Sequence, residues 1–153
     1  HFISAGPEEN TMLAKRAKSL SLEVICRNKA WGSFIRRYGA YAHQGQRLPA
    51  LVEFTLKDDD RGDPLITEDA LVALDIASPE DIDYMKETAR KATDLITDYL
   101  AQRGLELIDI KYEFGIIDGK TMIIDEVSGD SMRVVRGGKV LLQNELYEAL
   151  IGQ

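Results

Sequence analysis

Leu105-Glu-Leu-Ile-Asp-Ile-Lys-Tyr-Glu-Phe-Gly-Ile-Ile-Asp-Gly-Lys-Thr-Met-Ile-Ile-Asp-Glu126 is the stretch around which the chain is organised. Residues alternate from Ile108: Ile108, Ile110, Tyr112 and Phe114 share one side, and Asp109, Lys111 and Glu113 the other. Successive strand side chains leave opposite faces, so this is a strand with an apolar face and an ionised one. Asp118-Gly119 is a hairpin turn signal, and Thr121 to Val127 reads as the return strand, carrying Asp125 and Glu126. Carboxylates converging with a lysine across two adjacent strands suit a hard cation and a charged substrate. A solvated ladder of charges is the alternative reading of the same pattern.

The hairpin register decides which acids share a face. A two-residue loop at Asp118-Gly119 sets Glu113 opposite Ile124, so that Glu126, not Asp125, shares its face. A three-residue loop, Asp118-Gly119-Lys120, sets Glu113 opposite Asp125. The sequence leaves both open.

Working outward, 153 residues fit one domain with a sizeable core. The 44% hydrophobic and 29% charged content is that of an ordinary soluble globular protein. A net charge of −7 argues against a nucleic-acid backbone or an anionic membrane as principal partner. The single cysteine, Cys26, rules out an internal disulfide and points to a reducing, cytoplasmic setting. No run reaches transmembrane length and no signal-peptide pattern opens the chain.

Residues 1–18 show no clear organisation beyond a turn at Gly6-Pro7-Glu8-Glu9-Asn10 and a short strand from Thr11 to Ala14. Leu22 to Arg27 alternates, with Leu22, Val24 and Cys26 on one face. Asn28 is placed to cap a short helix that brings Ser33 near Arg27. A hydroxyl beside guanidinium forks suits phosphate oxygens. Leu51 to Lys57 is another alternating strand, with Val52, Phe54 and Leu56 inward. The loop Lys57-Asp-Asp-Asp-Arg-Gly-Asp-Pro64 is the densest charge in the chain. It is not an EF-hand loop, because placing Gly62 at the sixth position puts Lys57 where the first carboxylate belongs. Ser78 to Arg103 is the clearest helix, with Ser78 as cap, Pro79 at the first position and Asp81 completing a capping box. Ile82, Met85, Ala89, Ala92, Ile96 and Tyr99 form its apolar stripe, and Gly104 ends it. Val127 to Arg133 reads as a loop, Arg136-Gly-Gly-Lys139 as a turn, and Gln143 to Ile151 as a closing helix. Neither His1 nor His43 has a metal-ligand partner by spacing.

Six segments then stand in the order of one family: Leu22-Glu-Val-Ile-Cys-Arg-Asn28, Gly32-Ser33, Val52-Glu-Phe54, Lys57-Asp-Asp59 with Gly62-Asp-Pro-Leu-Ile66, Lys111-Tyr-Glu-Phe-Gly115 and Asp125-Glu-Val-Ser128. Together, from about Leu22 to Arg133, they resemble phosphoribosylaminoimidazole-succinocarboxamide synthase (SAICAR synthetase). The resemblance implies an α+β fold, an antiparallel sheet with packed helices like the C-terminal lobe of that ATP-grasp-like architecture. It divides the chain into a lobe-junction segment, 1–20, and a substrate- and metal-binding lobe, 21–153.

The activity implied is a purine-pathway carbon–nitrogen ligase that joins carboxyaminoimidazole ribonucleotide to L-aspartate as ATP is cleaved to ADP and phosphate. An acyl phosphate is the simplest activated form. By the resemblance, Glu113 and Asp125 hold magnesium against the ATP phosphates. Arg27, Ser33 and Arg133 hold the nucleotide substrate, chiefly its phosphate, and Asp130 lines the same substrate-binding cleft. Lys111, Asp63 and Asp109 line the reacting centre, and Ala17, Lys18 and Ser19 fall at the adenine-contacting hinge. Shared magnesium binding by Glu113 and Asp125 requires the three-residue loop or an equivalent bulge, leaving Ile124 and Glu126 on the apolar side.

Gly129 stands where the family has Pro, and the family's N-terminal lobe with its glycine-rich phosphate-covering loop does not precede His1. A longer natural product is therefore expected. The alternative function is a catalytically inactive piece that only binds nucleotide or dimerises. Homo-oligomer formation is left open.

Overall fold

Three long strands with the same alternation build the centre of the molecule. In the computed structural model, which describes residues 1–152, they are β3 (Lys18–Lys29), β4 (Arg47–Leu56) and β6 (Glu106–Ile117). β3 lies between β4 and β6, antiparallel to both. The pairs Val24–Phe54, Cys26–Val52, Val24–Tyr112 and Cys26–Ile110 put one face of all three strands into the core. Because the side-chain period is two, the intervening residues must leave the opposite face together.

The sheet grows outward in the order β5-β4-β3-β6-β8-β9, with β7 paired to the other half of β6. Its outer strands are β5 (Leu65–Ile66), β7 (Lys120–Ile124), β8 (Met132–Arg136) and β9 (Lys139–Val140). A separate two-stranded sheet, β1 (Phe2–Ala5) with β2 (Met12–Ala14), precedes them. The helices are α1 (Ser33–Tyr38), α2 (Glu68–Ala73), α3 (Pro79–Ala101) and α4 (Gln143–Ile151). No described helix is long and apolar enough to cross a membrane.

The longest helix, α3, covers the apolar face of the sheet. Ser78 accepts from the Asp81 amide, and Thr121 of β7 donates to the Asp81 carboxylate at 2.6 Å, tying the helix start to the sheet. That bond holds the Asp81 carboxyl below the usual range. Its buried stripe is Ile82, Met85, Ala89, Thr93 and Leu100. Tyr99, expected in the stripe, is exposed and stacks under Arg103 instead. Thr93 takes a core position because its hydroxyl bonds that of Tyr112 at 3.0 Å, which satisfies both buried groups.

Other expectations change. The helix α2, capped by Thr67, had no clear periodic signal, and 3.6-residue spacing is hard to read over six residues. Asn28 caps nothing: β3 continues to Lys29, α1 begins after Gly32, and Asn28 donates to Thr97. The hairpin register is the main correction. Asp118 and Gly119 both have positive φ, as a two-residue turn of mirror-image type requires, and Ile117 pairs with Lys120. Glu113 therefore faces Ile124, and Ile123, not Ile124, packs on the core side opposite Phe114.

Candidate functional site

The second face of the central strands carries paired charges interrupted by Ile25 and Leu51. Reading across the sheet, Glu23 lies between Thr55 and Glu113, Ile25 between Glu53 and Lys111, and Arg27 between Leu51 and Asp109. β8 extends the last row by setting Arg133 beside Asp109. The strand alternation that builds the core thus also builds this face.

Arg27 is its deepest element, 2% exposed. Its Nε donates to Glu53 at 2.7 Å, Nη1 to Asp109 at 2.6 Å and Nη2 to Ser33 at 2.9 Å. Each buried carboxylate also accepts a second guanidinium: Arg37 reaches the same Glu53 oxygen at 2.6 Å, and Arg133 the same Asp109 oxygen at 3.0 Å. A buried carboxylate is tolerated only when paired in this way. Burial pushes the Asp109 carboxyl above its ordinary value, against the pull of Arg133 and Arg27. Arg133 is more open, a third exposed at its side chain, and presents the guanidinium that solvent can reach.

Gly32 makes room for it. With φ +51 the residue occupies a backbone region that L side chains avoid, and a Cβ there would lie 2.9 Å from both terminal nitrogens of Arg133. The glycine thus lets the start of α1, with Ser33, close on Arg133.

Further along the same face, Glu23 accepts from Thr55 at 2.9 Å and from Lys111 at 2.7 Å. Glu113 accepts from Lys57 at 2.6 Å. Glu23 and Glu113 are direct cross-strand neighbours, a repulsive arrangement unless each has its own cation. Burial alone would lower the Lys111 ammonium, but the hydrogen bond and charge of Glu23, with the charge of Glu113, outweigh it and raise it. Lys57 is raised mainly by its bond to Glu113, with Asp125 and Glu23 adding to the effect. Both lysines are therefore fixed cations at neutral pH.

Asp125 follows the last residue of β7 and has φ +62. This left-handed step ends the strand alternation, so the simple parity rule that favoured Glu126 does not govern Asp125. It is exposed, and its charge adds to that of Glu113 in raising the Lys57 ammonium. The register expected for it is absent, because Glu113 lies opposite Ile124.

Arg27, Ser33, Asp109, Lys111, Asp130 and Arg133 all line one cavity of about 330 Å³. A neighbouring cavity of about 410 Å³ shares Ile25 and Ser33 with it and adds Glu23, Arg36, Arg37 and Asp63. Asp63 is held by the Asp58 amide, which donates to its carboxylate at 2.9 Å. Ala17, Lys18 and Ser19 lie apart at the far end of β3, where Lys18 pairs with Ile116 and Ser19 with Gly115. Sequence reasoning assigned no role to Glu23, Glu53, Arg37, Thr55 or Lys57. The parity of β4 carried the signal, since Glu53 and Thr55 alternate with the apolar Val52, Phe54 and Leu56.

No group of three or more His, Cys, Asp or Glu among the described residues could by itself hold a metal ion. Glu113, paired with Lys57, and the exposed Asp125 would supply two carboxylates. That donor set fits magnesium, which keeps several waters or phosphate oxygens and takes one or two protein carboxylates.

Comparison with known proteins is consistent over almost the whole chain. The family model described as SAICAR synthetase matches residues 1–145. A phosphoribosylaminoimidazole-succinocarboxamide synthase of Clostridium tetani is 48% identical over 155 residues, covering 99% of this chain and 68% of that protein. The protein of the same name from Thermotoga petrophila is 42% identical over 137 residues, covering 88% of this chain and 58% of that one. A solved SAICAR synthetase in complex with ADP superposes with a TM-score of 0.89 at 30% identity, covering all of this chain and 72% of its own. The chain thus spans between 58% and 68% of these two relatives' length.

Proposed function

The chain belongs to the SAICAR synthetase family, and on that premise we propose that it forms the ribonucleotide- and metal-facing wall of an ATP-dependent carbon–nitrogen ligase. The reaction joins carboxyaminoimidazole ribonucleotide to L-aspartate, and ATP is cleaved to ADP and phosphate.

One observation carries the reading: the order of groups along β3 and β6. From one end of the shared face to the other come Ala17 to Ser19, then Glu113, then Lys111, then Arg27 with Asp109 and Arg133. An adenine at the first position and a substrate phosphate at the last leave the triphosphate at Glu113 and the reacting carboxylate at Lys111. The two ligands then meet head to head, as in-line transfer of a phosphoryl group needs.

In this arrangement the substrate phosphate sits in the cavity of Ser33, Asp130 and Arg133. Arg133 supplies the reachable fork and Arg27 the positive floor beneath it. Asp109 accepts from both guanidinium groups, so it acts as a positioning residue. Lys111, held protonated, stabilises negative charge on the substrate carboxylate and on the oxygens formed from it, and it does not serve as a base. The substrate carboxylate oxygen attacks the terminal phosphorus of ATP and ADP leaves. The aspartate amine then attacks the acyl carbon, phosphate leaves with the carbon–oxygen bond, and the amine loses its proton. Asp63, lining the adjoining cavity, is placed to receive that proton or orient the amine. Magnesium, held by Glu113 and Asp125, would neutralise charge on the triphosphate.

The test is a ligation assay on the full-length protein. Arg133→Lys keeps the charge but loses the bidentate fork, so the KM for the ribonucleotide rises while that for ATP changes little. An equal rise for both ligands would overturn the assignment of a dedicated substrate-phosphate site.

A further inference from the structure

We propose that Lys57 is the resident counter-cation of the metal site: its ammonium occupies Glu113 in the ligand-free protein and must leave that carboxylate when a divalent cation binds. The proposal rests on reading Glu113 and Asp125 as the metal-holding pair. It adds a group that competes for the same oxygen.

Glu113 is buried, with its side chain only 8% exposed, so it needs a cation at all times. Lys57 provides one from the open side, at 2.6 Å and with nearly half its own side chain in solvent. A metal ion would have to approach by the same opening. Glu113 holds this ammonium directly, and the charges of Asp125 and Glu23 add to its hold. Glu23 is already held by Lys111 and Thr55. Among the described residues, Lys57 is the ion-pair partner of Glu113.

Arg27 and Lys57 contrast in a way that matches their tasks. Arg27 is locked by three partners and cannot leave without taking one of two guanidinium partners from each of two buried acids. Lys57 makes a single bond through a flexible four-carbon stem. Its backbone is fixed where its amide donates to the Ser21 carbonyl at 3.0 Å, so the side chain swings from an anchored root. Once displaced, the ammonium stays within reach of the anion that accompanies the metal, and phosphate oxygens become its new acceptors.

The test is Mn(II) binding to this chain, read by the loss of the free-ion electron paramagnetic resonance signal, with and without ADP. For Lys57→Met, Mn(II) alone binds about two- to fivefold more tightly than to the unaltered chain, the range expected when a half-exposed ion pair no longer competes. Mn(II) also raises the melting temperature of that variant by more. With ADP present the advantage shrinks or reverses, because the variant cannot donate to phosphate. Unchanged or weaker Mn(II) binding by Lys57→Met would overturn the proposal. Lys57→Gln, which keeps a neutral donor, gives the same comparison if the Met variant does not fold. Glu113→Gln separates the two layers. If it retains full Mn(II) affinity, the metal assignment itself is wrong; if it loses affinity while Lys57→Met is unaffected, only the counter-cation role falls.

Discussion

Replacing Arg27 with Met removes one guanidinium and leaves two buried carboxylates, Glu53 and Asp109, short of a partner. Breaking a buried pair by deleting one member typically costs about 3–5 kcal/mol. Here each orphaned acid keeps a second guanidinium, Arg37 on Glu53 and Arg133 on Asp109. The cost should therefore sit at the lower end, about 3 kcal/mol. With a urea m-value of about 2 kcal/mol/M for a chain of this size, the unfolding midpoint falls by about 1.5 M. Equilibrium urea unfolding followed by circular dichroism measures this directly. Arg27→Lys is intermediate, because one ammonium cannot span Glu53, Asp109 and Ser33 together. Adding Asp109→Leu to Arg27→Met recovers part of the loss, since a buried carboxylate left with a single partner goes with it and Arg133 can turn to water. A midpoint shift below about 0.3 M for Arg27→Met, under about 0.6 kcal/mol, would refute the view of Arg27 as a buried hub.

Thr93→Val removes the only described side-chain hydrogen-bond partner of the buried Tyr112 hydroxyl, and should cost about 1–3 kcal/mol in the same unfolding assay. Burial pushes the Tyr112 hydroxyl up to about 12, so its contribution to stability is fully present below its unfolded value of about 10 and is lost as pH rises through about 12. Thermal melts across that window should show a steeper alkaline loss for the unaltered chain than for Tyr112→Phe. Gly32→Ala combines an unfavourable positive φ with a Cβ set against Arg133. It should cost about 1–3 kcal/mol of stability, and calorimetric titration should show a selective loss of affinity for the substrate ribonucleotide.

Much of this fold was legible because strand alternation is a strong local signal. Leu22, Val24 and Cys26 on β3, with Phe54 on β4 and Tyr112 and Phe114 on β6, declared their buried face directly, and all are core residues. Ser78 and Pro79 declared the start of α3 for a reason equally local, an orphan amide needing an acceptor. What escaped were consequences of tertiary pairing. The place of Thr93 in the core depends on Tyr112, far away in sequence, and no helical wheel contains that bond. The hairpin register turned on Asp118 accepting a positive φ. The backbone at Asp125, with its own positive φ, lay beyond the reach of a parity argument. The residues around Arg27 were found through their motifs. Glu53, the counter-ion that Arg27 shares with Arg37, needed the sheet register that sets β4 beside β3.

One face of β3 and β6 is expected to carry the metal and the substrate phosphate at separate, ordered positions. A crystal of this chain grown with Mn(II), ADP and carboxyaminoimidazole ribonucleotide tests it, with the anomalous signal of manganese locating the ion independently of the protein. The account predicts a manganese peak bridging Glu113 and Asp125, with Lys57 swung off Glu113. It places the ribonucleotide phosphate between Ser33 and Arg133. Manganese on the acidic loop at Asp58 to Asp60, or the phosphate outside the cavity of Arg133, would contradict it.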